Sequence, residues 1–231
     1  MIRKIFRIVL KAVLWFFIST IGVTILYRFV PPPLTTLMVI RLFDQAFDEN
    51  RNVRLTKDWV PLVEMSPSMP LAVITSEDQK FEEHFGFDLE AIEKAQKYNE
   101  RHKGKKVKGA STISQQTAKN VFLWPQRSYI RKGFEVYFTF LIEVLWSKER
   151  IMEVYLNVIE MGDGIYGAEA ATKEYFNKPV SKISNSQAAL IAACLPNPIR
   201  WSPAKPTRYI QRKQAWIIRH MRMAEKPDFN R

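Results

Sequence analysis

Residues 129–146 read YIRKGFEVYFTFLIEVLW. Phe134, Phe138, Leu141 and Leu145 recur there at three- and four-residue intervals, the repeat of one helix face. Upstream, Leu37, Ile40, Phe43 and Phe47 give the same repeat over residues 36–47. Residues 70–81, PLAVITSEDQKF, begin with a proline, which suits a first helical turn. Thr112-Ile113-Ser114-Gln115 has the spacing of a capping box and opens the helix that carries Lys119. Downstream, Ser147 is placed to cap a helix over residues 148–157. Residues 186–195 are apolar and are stopped by Pro196 and Pro198, and residues 211–223 form a last amphipathic helix. Alternation with a period of two is scarce. The pattern predicts one mainly α domain.

The chain has 231 residues, enough for one such domain and an anchor. With 47% hydrophobic and 25% charged residues, wholesale disorder is excluded. Residues 12–27, AVLWFFISTIGVTILY, carry no charge. Extended to residue 30, the run reaches the ~20 residues that cross a bilayer core. Arg3, Lys4, Arg7 and Lys11 precede it and only Arg28 follows closely. That asymmetry predicts a cytoplasmic N-terminus and a domain on the outer face. No small-x-small cleavage pattern follows, so the segment reads as an uncleaved anchor. The expected division is a basic tail at residues 1–11, a transmembrane anchor at 12–30 and the domain at 31–231. Pro31-Pro32-Pro33 reads as a stiff spacer lifting that domain off the membrane.

The formal net charge is +12, which predicts an anionic partner: nucleic acid, an acidic membrane surface or a phosphorylated substrate. The single cysteine, Cys194, sits in Leu190-Ile-Ala-Ala-Cys-Leu195 and reads as a small core residue. Gly162-Asp-Gly-Ile-Tyr-Gly167 matches a dinucleotide fingerprint in spelling. The stretch before it has helical spacing, so a loop between helices is the expected setting. His84, His102 and His220 are too scattered to suggest a metal centre.

Two groups point to chemistry. Glu77 closes the apolar run LAVITS. A carboxylate at such an edge is disfavoured in its charged form, which suits a group that accepts a proton. On pattern alone, Glu77 and Asp78 also read as solvated helix-face acids. Residues 97–132 hold ten Lys or Arg opposed only by Glu100. Four of these, Lys119, Arg127, Arg131 and Lys132, stand among apolar and aromatic residues, which suits holding a diphosphate. Arg131 and Glu135 also have the spacing of an ordinary helical ion pair.

These pieces occur in the order of a known family. The chain resembles the monofunctional biosynthetic peptidoglycan transglycosylases, glycosyltransferase family 51. The carrying motifs are Glu77-Asp78-x-x-Phe81-x-x-His84-x-Gly86, Gly109-Ala-Ser111-Thr112-Ile113-Ser-Gln115-Gln116, Arg131-Lys132-x-x-Glu135 and Lys148-x-x-Ile151-x-x-x-Tyr155-Leu156-Asn157. A looser fifth runs from Arg212-Lys213 to Met221. Ser114 stands where the family often has threonine.

The resemblance implies a lysozyme-like, mainly α glycosyltransferase domain with one N-terminal transmembrane helix, placed on the outer or periplasmic face of the cytoplasmic membrane. It implies lipid II and the growing lipid-linked glycan chain as substrates, with cell-wall synthesis or division proteins as partners and no nucleic acid. It implies Glu77 as the general base on the acceptor 4-hydroxyl and Glu135 as the second acid, at the leaving diphosphate. Asp78, Phe81, His84, Ser111, Thr112, Gln115 and Gln116 are the implied binding residues. Lys119, Arg127, Arg131 and Lys132 would neutralise the diphosphate. A divalent cation, Mg2+ or Mn2+, is a possible cofactor, although the sequence shows no dedicated ligand cluster. Bifunctional relatives add a transpeptidase domain, for which the ten residues after Met221 leave no room. Two other readings stand beside this one: a lysozyme-type glycan-cleaving enzyme, and a membrane-tethered binder of anionic polymers.

Overall fold

The computed structural model describes residues 1–49, 52–102, 107–126 and 128–224. Helix α1 spans Ile2–Phe29 and α2 spans Thr36–Ala46. Helices α3 (Ser68–Glu77) and α4 (Leu89–Arg101) precede the segment Gly109-Ala-Ser-Thr112. Helices α5 (Ile113–Phe122), α6 (Tyr129–Leu145) and α7 (Lys148–Val158) follow it. The chain closes with α8 (Ala168–Phe176), α9 (Asn185–Cys194) and α10 (Arg208–Met221).

Local chemistry accounts for most boundaries. The Thr112 hydroxyl accepts from the Gln115 amide and the Gln115 side chain accepts from the Thr112 amide, a complete capping box. The Ser147 hydroxyl accepts from the Arg150 amide at the start of α7. Helix α3 ends at Glu77, four residues before the expected end at Phe81. Asp78 leaves the helix because its carboxylate is drawn elsewhere, to the Ile113 amide at 2.9 Å and to His84. Helix α10 starts earlier than the periodicity suggests, because Thr207 caps it through the Ile210 amide.

The core forms where two packs of helices meet. Helices α3, α9 and α10 pack on one another, and α5 lies against α6, α7 and α2. Met69, Val73, Ile113, Ile142, Ile151, Leu156, Ala189 and Ile191 are almost wholly buried between them. Each of these side chains except Ala189 contributes ~1.5–3 kcal/mol relative to exposure. A small sheet of β1 (Thr56–Lys57), β2 (Glu160–Gly162) and β3 (Ile165–Tyr166) closes one side in the order β1-β3-β2. The β1–β3 pairing is parallel and the β2–β3 pairing antiparallel.

The glycine motif at residues 162–167 is therefore a β hairpin, not the expected loop between helices. Gly164 has φ +69°, and a Cβ there would lie 2.4 Å from the Arg54 carbonyl oxygen. The glycine serves close backbone approach to residue 54, and the three glycines are spread over an antiparallel hairpin and the start of α8 instead of sharing the single strand-to-helix turn of a nucleotide site.

The anchor segment does not stand off from the domain as the proline spacer suggested. Helix α1 runs beside α6 in the same direction. Phe16 meets Phe134 and Tyr137 with ring centroids 5.8 Å apart. The hydroxyls of Thr20 and Tyr137 are 2.8 Å apart. The Trp146 indole donates to the Thr24 carbonyl at 2.8 Å. Arg150 donates to the Tyr27 carbonyl at 2.9 and 3.1 Å and to the Val30 carbonyl at 3.1 Å. A guanidinium at the last carbonyls of α1 satisfies acceptors that the helix leaves open and lies at the favourable end of its dipole. Arg150→Ala should weaken this docking by about 1–3 kcal/mol. Hydrogen exchange in detergent should then show faster exchange in the last turn of α1, with α9 and α10 unchanged. Unaltered exchange in α1 would remove the capping role.

Candidate active site

A cleft of about 1020 Å3 opens between the two helix packs. One wall is the start of α5 with Ser111, Thr112, Gln116, Lys119 and Asn120. The other is α10 with Lys213 and Trp216, beside Leu195, Pro196 and Pro198 at the end of α9. Glu77 sits between them as the last residue of α3.

The Glu77 carboxylate is partly exposed to the cleft, at 13% for its side chain. Its surroundings are polar, unlike the apolar edge read from LAVITS. The Ser76 hydroxyl donates to Oε1 at 3.2 Å and the Gln116 amide to Oε2 at 3.2 Å. The Lys213 ammonium lies 3.8 Å from Oε1. Gln116 can present either end of its carboxamide, and the Glu77 carboxylate, which only accepts, decides which. The buried Tyr155 hydroxyl donates to Gln116 Oε1 at 3.2 Å. Burial pushes its pKa well above the ordinary phenol value, helped by the negative charges of Glu77 and Asp78, so it stays a donor at neutral pH. The Gln116 amide N–H faces Glu77, which leaves its Oε1 to the phenol. Burial lowers the pKa of Lys213 and the Glu77 charge opposes that shift. The fifth motif, whose register was uncertain, thus meets the first at this point.

The rest of the first motif is drawn into the protein. Asp78 is buried and takes His84 Nε2 at 2.9 and 3.0 Å as well as the Ile113 amide. Phe81 is fully buried, with the Lys148 ammonium 4.7 Å from its ring centre. Thr112 is buried too, and its hydroxyl donates to the Gly86 carbonyl at 2.7 Å. Gln115 is consumed by the capping box. These bonds hold the segment that carries Glu77, while His84 Nδ1 keeps no partner. Asp78, Ser111, Thr112, Gln116 and Lys119 line the cleft.

Sequence reasoning passed over Glu143. Its buried carboxylate accepts from the Ser114 hydroxyl and from the Lys148 ammonium at 2.8 Å, and Lys148 also donates to the His84 carbonyl at 2.7 Å. Gly86 allows this packing. It has φ +74°, and a Cβ there would come within 2.9 Å of Thr139 and Glu143 side-chain atoms. A buried charge in a helix stripe has no spacing of its own, so only the fold reveals it.

Glu135, Arg131 and Lys132 form a second cluster on the first turns of α6, outside the residues that line the cleft. Arg131 donates to Glu135 Oε2 at 2.8 Å, and Lys132 bonds the other oxygen. The buried Arg131 keeps one guanidinium N–H without a partner. Arg127 and the basic residues 103–106 lie outside the described residues. Among the described residues no three His, Cys, Asp or Glu side chains converge. Both Glu135 oxygens are engaged by cations, so these residues do not supply the several oxygens a hard cation needs. Cys194 is buried, and burial raises its thiol to about 11, as fits a core residue.

A family model described as Transglycosylase matches residues 45–222. The chain is 58% identical over 210 residues to a biosynthetic peptidoglycan transglycosylase of Bdellovibrio bacteriovorus, covering 91% of this chain and 83% of that one. It is 56% identical over 225 residues to a protein of that name from Bacteroides thetaiotaomicron, covering 97% and 90%. A third, from Pseudomonas syringae pv. syringae, is 49% identical over 222 residues, covering 96% and 93%.

Proposed function

This chain belongs to the transglycosylase family and is a peptidoglycan glycosyltransferase, and from that premise we propose that it polymerises lipid II into glycan strands with release of polyprenyl diphosphate. The donor is the growing chain, joined at its anomeric carbon to the lipid diphosphate. The acceptor is the sugar 4-hydroxyl of another lipid II. Glu77 takes the hydroxyl proton as the oxygen bonds to the anomeric carbon, and the bond from that carbon to the diphosphate oxygen breaks. Lys119 on the cleft wall, with Arg127, Arg131 and Lys132, takes up the negative charge of the departing diphosphate, and Glu135 sets the geometry of that cation set. A divalent cation, if used, would draw most of its ligands from the diphosphate and water.

The observation that carries this reading is the placement of Glu77. It stands in a large cleft, held from behind by Ser76 and by Gln116 on Tyr155, with Lys213 ready to balance its charge. A lysozyme-type hydrolase would share the acid, but it has no diphosphate for the α6 cations to neutralise.

The anchor gives the enzyme its surface. Helix α1 is long and apolar enough to cross a membrane. The outer stripe of α6 beside it, Val136, Phe140 and Val144, is exposed and apolar. Both favour contact with the bilayer that holds the lipid substrates, in the cytoplasmic membrane, with the N-terminus inside and the domain outside.

Incubation of the purified full-length protein with labelled lipid II should yield glycan polymer and free polyprenyl diphosphate. Cleavage of purified glycan with lipid II untouched would overturn the reading. Lys119→Met should weaken binding of a lipid diphosphate by about 1–3 kcal/mol, whereas Lys103→Met should cost far less. Equal losses would mean diffuse attraction in place of a site.

A further inference from the structure

The α10 wall of the cleft carries a side chain to which neither the fold nor the reaction above gives a task. Trp216 lines the cleft and is 41% exposed. An indole this exposed adds little to the core, while its neighbour Ile217 is fully buried and does the packing. The ring is nonetheless fixed. It stacks on His220 with centroids 4.0 Å apart and planes at 29°, and His220 Nδ1 lies 2.8 Å from the Trp216 carbonyl oxygen. Lys213, one helical turn earlier on the same face, reaches Glu77.

We infer that Trp216 is a stacking platform for a sugar ring of the acceptor, beside the hydroxyl that Glu77 deprotonates. A pyranose has an apolar face of C–H bonds whose positive edges match the negative face of an indole. A rigid aromatic surface gives contact area at little entropic cost. Its place on α10 decides which sugar it meets. The diphosphate of the donor is assigned to Lys119 on the α5 wall and to the α6 cations beyond the cleft lining, so the α10 wall is left to the acceptor. Trp124 also lines the cleft, but it packs on the core and meets Phe134 edge-on at 6.2 Å, on the donor side. The inference rests on the proposed reaction.

The test is two-substrate kinetics on the full-length enzyme in detergent, with lipid II varied as acceptor and a lipid-linked glycan oligomer held saturating as donor. Trp216→Ala should raise the acceptor KM about tenfold, with kcat and the donor KM changed less than about twofold. Trp216→Phe should recover most of the loss, and His220→Ala, which frees the ring, should show part of it. Thermal unfolding should be unchanged in all three. An unchanged acceptor KM, or equal rises in both KM values, would overturn the platform. Loss of binding to phospholipid vesicles with acceptor KM unchanged would assign the ring to the membrane surface and overturn it too. Absence of polymerisation by the wild-type enzyme would instead sink the proposed reaction.

Discussion

Glu77→Gln is expected to lower the polymerisation kcat by about 10^2–10^4-fold, the usual contribution of a general base. The amide keeps the shape of the carboxylate: its oxygen can accept from Gln116 and its NH2 can donate to the Ser76 hydroxyl, which still donates to the Ala192 carbonyl, so the fold should not change. Binding of an inhibitor that mimics the donor diphosphate should change little, because the Arg131–Lys132–Glu135 cluster and Lys119 are untouched. Glu135→Gln should behave differently. It removes one of the charges that hold Arg131 and Lys132, so it should reduce inhibitor affinity as well as turnover. Near-normal polymerisation by Glu77→Gln would move the base elsewhere. Asp78 is then a poor substitute, since its two oxygens already serve His84 and Ile113.

The second large effect belongs to stability. Lys148→Met would leave the Glu143 carboxylate, 3% exposed, with the Ser114 hydroxyl as its remaining polar contact. A buried charge stripped of its partner costs about 3–5 kcal/mol, which for a chain of this size is a fall of about 10 °C in Tm. The loop from Asp78 to Gly86 should loosen as well, because Lys148 also holds the His84 carbonyl. The double variant Lys148→Met/Glu143→Gln removes both charges and should recover a good part of the loss. Calorimetry decides the matter: a fall worth under about 1 kcal/mol for Lys148→Met would mean that Glu143 is neutral or solvated.

What the sequence made readable follows from where the determining forces act. Helices α5 and α7 were marked by caps that span four residues, Thr112 to Gln115 and Ser147 to Arg150, and local bonds leave local signatures. Helix α4 carries only a short repeat of Leu89, Ile92, Ala95 and Tyr98, and none of its residues is buried. Helix α8 is short and alanine-rich, and strands of two or three residues cannot display an alternation. The end of α3 escaped because the bond that draws Asp78 out of the helix comes from Ile113, 35 residues away. The site divides in the same way. Glu77 and the cations belong to ordered motifs. The roles of Tyr155, Lys213 and Glu143 arise only when α3, α5, α6, α7 and α10 come together.

The bonds between α1 and α6 have a consequence for how the protein is made. They join residues 117 to 123 positions apart. During synthesis, α1 emerges first and must wait for more than half of the chain before any of these partners exists. Its threonines are provided for in the meantime, since Thr20 and Thr24 donate to carbonyls of their own helix at 2.8 Å. Contacts this distant in sequence close late in folding. The junction of anchor and catalytic domain is thus a late event in biogenesis, and it can form only in a molecule whose α6 and α7 have already been translated.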